Sequence, residues 1–375
     1  MTSSVITPIL MSATDPLPDP LDLGAANLFQ NCAQLQPGDS LLLVSETPEL
    51  GWWDADLIAF LADSARQAGY RVTELQVGAP GNDRDERVQA AMQTHDCALF
   101  LARAGDQDRF STAERGCRIV MCYARNRDML ASTFGHVAYP AMCALKSELD
   151  RIIAAARHIR ITCPLGSDLE AQLEPRGNTE SADVSVRRFP MGIVSPILAQ
   201  PFSGKAVMAH YLTPTGSAVY EPAVLELETP ATALLQSGRI VGFDGPSETV
   251  QSIEQHYQRV ARQFDLEPFV VHSWHAGIHP GVQCAIREAD NPDLWGNTVF
   301  NHPRYLHFHS CGVNAPGEIS WMLRDHRVTL DGVPLWDQGE LMPQNFPAAA
   351  RCLEEWPELS GLYRHPDSHN REESA

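Results

Sequence analysis

The sequence is short of basic charge, and what it lacks narrows its function. Across 375 residues, 28 Lys and Arg face 47 Asp and Glu, a net charge of −19. That balance disfavours a nucleic-acid backbone or an anionic lipid surface as partner. No Lys or Arg precedes Arg66, so no basic region leads into an apolar targeting segment. No apolar run approaches the roughly 18 residues that span a bilayer. Nine cysteines lie scattered, odd in number and without a CxxC pair, which fits neither a disulfide framework nor a zinc ribbon. GxGxxG and P-loop patterns are absent too, removing the specific signals for nucleotide binding. The expectation is a cytoplasmic protein with reduced thiols that acts on a small molecule.

The length fits two domains of ordinary size. Residues 1–22, with Pro8, Pro16, Pro18 and Pro20 and little periodicity, read as a mobile arm. From there strand-like and helix-like stretches alternate. "SLLLVSE" reads as a buried strand, "DADLIAFLADSARQAG" as an amphipathic helix between Asp54 and Gly69, and "YRVTELQV" as the next strand. The alternation continues through "CALFLA", a short helix near "STAERG", "CRIVMCY" and a helix from about Ala141 to Ala156. Such alternation predicts an α/β N-terminal domain, residues 23–157, with a mainly parallel sheet. Beyond it, short strands broken by Gly and Pro predict a strand-rich α+β C-terminal domain, residues 158–375, holding metal and substrate. One long helix interrupts it at "SETVQSIEQHYQRVARQF", with Ser247 as the expected cap. A turn is expected at Asp331-Gly332, and the acidic tail reads as solvated.

Eight of the fourteen histidines lie between His256 and His326. In "RYLHFHSCG", His307 and His309 are two residues apart, so on a strand both imidazoles leave the same face. A third ligand is best supplied by His275 of "WHAGIHPG", where a strand end runs into a Gly/Pro loop. By pattern alone these residues fit two packed strand histidines as well as they fit a metal site. Three neutral imidazoles would suit Fe(II), Zn(II), copper or nickel and leave positions open.

Six segments add a resemblance. In chain order they are "LQPGDSLLLVSE", "TCPLGSDL", "FPMGIVSPILAQPFSGKAV", "WHAGIHPG", "GNTVF" and "HFHSCG". The ordered set resembles the superfamily that contains the aminopeptidase T metallopeptidases and the 2,5-dihydroxypyridine 5,6-dioxygenases, over roughly Leu28 to Glu340. For the peptidase branch the resemblance implies two metals held partly by two Glu residues. Ile193 and His275 stand at those two positions here, so the bridging anions of a two-metal hydrolase are missing. For the dioxygenase branch it implies one iron held by a His and an HxD pair. Matching the motifs gives His275 and His307 as ligands, with His309 where the relatives place Asp. A three-histidine face carries one more positive charge, which favours an anionic, bidentate substrate.

The resemblance therefore implies a mononuclear Fe(II) ring-cleaving dioxygenase, taking O2 and a hydroxylated pyridine or similar aromatic, in a homo-oligomer. A one-metal Zn(II) hydrolase and a non-catalytic member of the superfamily are the alternatives. For proton transfer and oxygen stabilisation the residues near the ligands in sequence are His279, His302 and Tyr305. Each has a plainer reading, as a loop cap, a carbonyl partner and a packing ring. Asn301 is a candidate for orienting substrate. Arg187 and Arg188 are candidates for holding a substrate carboxylate, against a plainer reading as solvated loop arginines.

Overall fold

The computed structural model describes residues 19–81, 85–106, 117–174, 186–216, 220–313 and 316–364. Most of the expected arm, the expected short helix near "STAERG" and the acidic tail lie outside these residues. Where the description begins, Asp19 accepts the Leu21 N–H at 2.9 Å and caps a helix at Pro20–Ala26. Helical structure thus starts inside the stretch read as an arm, with Pro20 in the first turn, where its missing N–H costs nothing.

The first strands in chain order are β1 (Ser40–Glu46), β2 (Arg71–Val77), β3 (Cys97–Leu101), β4 (Arg118–Cys122), β5 (His158–Thr162), β6 (Asp168–Gln172), β7 (Arg187–Phe189) and β8 (Ile197–Leu198). There follow β9 (Ser203–Leu212), β10 (Leu225–Gln236), β11 (Arg239–Asp244), β12 (Val271–Ala276), β13 (Tyr305–Cys311), β14 (Glu318–Arg324), β15 (Arg327–Leu330), β16 (Val333–Asp337) and β17 (Glu340–Leu341). Five of them make a parallel sheet in the order β2-β1-β3-β4-β7. Its inner strands are apolar along nearly their whole length because helices cover both faces. One such helix, Ala55–Gln67, buries Leu57, Ile58, Leu61, Ala62 and Ala65, the three-to-four spacing of a single face. Gly69, at φ +84°, turns the chain out of it.

The parallel sheet expected from the alternation is therefore present, with one unexpected member. β7 comes from the second half of the chain yet pairs with β4. Three residues, two of them arginines, carry no apolar periodicity, so the strand is invisible until its partner is known.

The second half forms two antiparallel sheets. Eight strands run in the order β11-β10-β9-β6-β5-β15-β16-β17. The β15–β16 hairpin turns through Asp331 at φ +50° and Gly332 at φ +87°, the left-handed pair that suits the strand twist. Helix Ser247–Phe264 packs Ile253, Tyr257 and Val260 inward. Pro246, rather than Ser247, occupies its cap position, and no side chain caps it. The remaining four strands form β14-β13-β12-β8, in which all seven residues of β13 are buried. Among the described residues no helix is long and apolar enough to cross a membrane.

Candidate metal centre

The antiparallel register of β12 and β13 sets His275 directly opposite His307. His309 lies two residues along β13 and shares its face with His307. The His275 and His307 rings stack at 5.0 Å, and His309 stands 4.9 Å from each. One ring nitrogen from each residue lies within 4.8 Å of the other two. All three side chains are buried.

Backbone and carboxylate partners orient these rings. His275 Nδ1 donates to the Val194 carbonyl at 3.3 Å, and His309 Nδ1 donates to Glu318 Oε1 at 3.0 Å. Both acceptors hold the proton on Nδ1, which leaves each Nε2 as a lone-pair donor. Glu318 is itself fixed by the Thr215 hydroxyl at 2.5 Å. Burial, followed by the neighbouring His309, His307 and Arg188, holds His275 well below the ordinary imidazole range. It is therefore neutral, the form that binds a metal. The cluster fits a divalent ion on its donor set, three convergent ring nitrogens with the His275 and His309 rings oriented from behind.

Beside the cluster a cavity encloses about 550 Å³, counting the space at its open mouth. Its walls come from two sheets. β12 and β13 bring the histidines, while the C-terminal edge of the parallel sheet brings Asp106, Tyr123 and Arg188. That edge is where open parallel sheets place ligands. Ile193, Phe300 and Met322 supply apolar wall, and Thr213, Thr215, Asn297 and Ser320 supply polar wall. Tyr123 donates its hydroxyl to Asp106 at 2.8 Å. Arg125, stacked 4.1 Å over Trp53, donates to Asn297 at 2.5 Å and fixes that part of the rim.

Comparison with known proteins bears on the fold. No protein-family model matches the sequence, and no curated protein matches it. Among solved structures, the 2,5-dihydroxypyridine dioxygenase of Pseudomonas putida KT2440 aligns at 14% identity and TM-score 0.59, covering 87% of this chain and 98% of that one. The chain shares that dioxygenase's fold. Wild-type AmpT from Thermus thermophilus aligns at 14% identity and TM-score 0.49, covering 86% of this chain and 99% of that one.

Within the dioxygenase fold, the other residues singled out from sequence fall in different places. Of the two arginines, only Arg188 reaches the cavity. Arg187 points to the opposite face of β7 and donates to the Cys32 carbonyl at 2.6 Å. His279, fully buried, lies edge-on to Phe134 at 5.0 Å and accepts the Gly281 N–H. Burial, with His302 nearby, pushes its pKa down to about 3. The His302 ring accepts the Arg304 N–H, and Tyr305 packs edge-on against Trp295 at 5.2 Å. Asn301 is buried where Gly192 and Gly277 let the backbone close in. These four residues do not line the cavity. They hold the loop that follows β12, and nearness in sequence to the ligands did not bring them to the same face.

Glu318, Asp106 and Tyr123 were not anticipated from sequence. Glu318 was recoverable in principle, because a hairpin between β13 and β14 brings its strand beside His309. Asp106 and Tyr123 needed the parallel sheet and its C-terminal edge before they meant anything.

Proposed function

We propose that this chain is a mononuclear, Fe(II)-dependent dioxygenase that opens the ring of a hydroxylated pyridine or a similar small aromatic. The observation that carries the reading is the three convergent imidazoles at one side of a cavity with both apolar and polar walls. His275, His307 and His309 would hold a ferrous ion, which would supply the redox chemistry for a chelating substrate and O2. The protein's own part is orientation and proton handling. Phe300, Ile193 and Met322 sandwich a flat ring and keep water from it. The Tyr123–Asp106 pair would take the proton of a ring hydroxyl placed beside Tyr123, with Tyr123 passing its own proton to the carboxylate.

The dioxygenase fold supports this reading. A two-metal hydrolase is disfavoured by the apolar Ile193 in the wall and by the single group of three or more metal-binding side chains found among the described residues. The test is anaerobic reconstitution with Fe(II), then oxygen uptake over a panel of dihydroxypyridines, catechols and hydroxybenzoates. Ring opening with stoichiometric O2 consumption is expected. Peptide or amide cleavage by the zinc-loaded protein without oxygen would replace this reading with a one-metal hydrolase.

A further inference from the structure

We infer that the substrate carries a carboxylate on its ring and that Arg188 binds it, opposite the end that meets the metal. The inference rests on the proposed single-ring substrate for its metal-binding end and adds the group at the other end.

Arg188 is 6% exposed and lines the cavity that the three histidines close. Among the described residues no carboxylate pairs with it, and its Nε has no acceptor. Arg103 pairs with Glu46 and Arg304 pairs with Asp325 at 2.7 Å. Among the described residues Arg125 also has no carboxylate and leaves its Nε and Nη1 without acceptors, but it lies over Trp53, donates to Asn297 and does not line the cavity. An arginine side chain cannot lose its charge by giving up a proton at ordinary pH, so one that is buried beside an open cavity favours an anion there.

The charge count of the cavity points the same way. Three imidazoles leave a divalent ion its full two positive charges, and Arg188 adds a third. Asp106 is the carboxylate among the lining residues, and it already holds the Tyr123 hydroxyl. Glu318 stands behind His309 and offsets one more charge. With Asp106 and Glu318 each offsetting one, a single positive charge is left, and one carboxylate on the guanidinium completes the balance. A neutral dihydroxy ring leaves Arg188 unpaired. The fork of a guanidinium matches the two oxygens of one carboxylate, and the cavity has space for a single-ring acid. The chain's net charge of −19 repels anions at long range, so this recognition depends on the local geometry.

The test uses zinc-loaded protein, which cannot turn over, and calorimetric titration with salicylate and with catechol. Salicylate offers an oxygen to the metal and a carboxylate; catechol offers oxygens alone. Wild-type protein is expected to bind salicylate at least tenfold tighter than catechol. Arg188→Gln is expected to lose that preference while keeping its zinc content and its catechol affinity within twofold. Arg188→Lys, which retains the charge without the fork, is expected to recover part of the preference and guards against a folding defect in the first variant. Equal affinity of wild type for the two probes, or salicylate binding unaffected in both variants, overturns the inference. If the salicylate preference is present but the iron-loaded protein consumes no O2 with any ring, the dioxygenase reading falls and the anion site stands.

Discussion

Glu318 Oε1 accepts the Nδ1 proton of His309 at 3.0 Å, from a side chain only 1% exposed. A carboxylate behind a ligand imidazole fixes the ring and raises its basicity. Glu318→Gln keeps an acceptor but loses the charge, and is expected to weaken zinc or iron binding by about 10–100-fold. Glu318→Ala should weaken it further. Chelator competition measures both, and unchanged affinities in the pair would remove Glu318 from the centre.

The motif resemblance sets His309 against an aspartate, and His309 shares its face of β13 with His307, which makes a two-way substitution informative. His309→Ala is expected to lose affinity by more than the roughly 100-fold assigned to a supporting residue. His309→Asp restores a donor that divalent iron and zinc accept and should hold close to one metal per chain. Elemental analysis after dialysis decides. A full metal complement in the alanine variant would show that His309 is not a ligand.

Gly277 follows the strand that carries His275, and a Cβ there would lie 2.2 Å from the His302 carbonyl oxygen. Backbone cannot swing aside as a flexible side chain can. Gly277→Ala is expected to cost about 1–3 kcal/mol by urea unfolding, with a weaker metal site because the end of β12 shifts. Wild-type values for both would mean that the backbones have room to part.

Asp293 gives a pH signature separate from the metal centre. It is buried beside Gly216, whose N–H it accepts at 2.9 Å, and burial raises its pKa to about 6. The folded state therefore binds this proton more tightly than the unfolded chain does. Stability from this group is full near pH 4 and is lost as pH rises through 6, by on the order of 2–3 kcal/mol. Asp293→Asn carries no such proton and should lose nothing over that window. Urea midpoints at pH 4, 5, 6 and 7 should converge at low pH and favour the variant at pH 7; curves that stay parallel would refute the assignment.

Much of the site was legible because two-residue periodicity is strict on a strand. Once "LHFHSC" is read as extended, His307 and His309 must share a face, and the structure adds His275 opposite the first of them. The parallel sheet was legible because apolar runs and amphipathic helices alternate. What stayed hidden depends on pairing between distant segments. Arg187 and Arg188 look alike in sequence, and strand alternation separates them only after β7 is known to pair with β4. His279, His302 and Tyr305 are close to the ligands along the chain but do not line the cavity, and ring contacts or a backbone hydrogen bond hold them elsewhere.

The short strand β7 has a further consequence. It carries Arg188 on a sheet different from the one that carries the histidines, so the span between guanidinium and metal ligands is a distance between two layers. With Arg188 on a substrate carboxylate, as inferred, the packing between those layers would set the length of molecule that reaches both the guanidinium and the imidazoles.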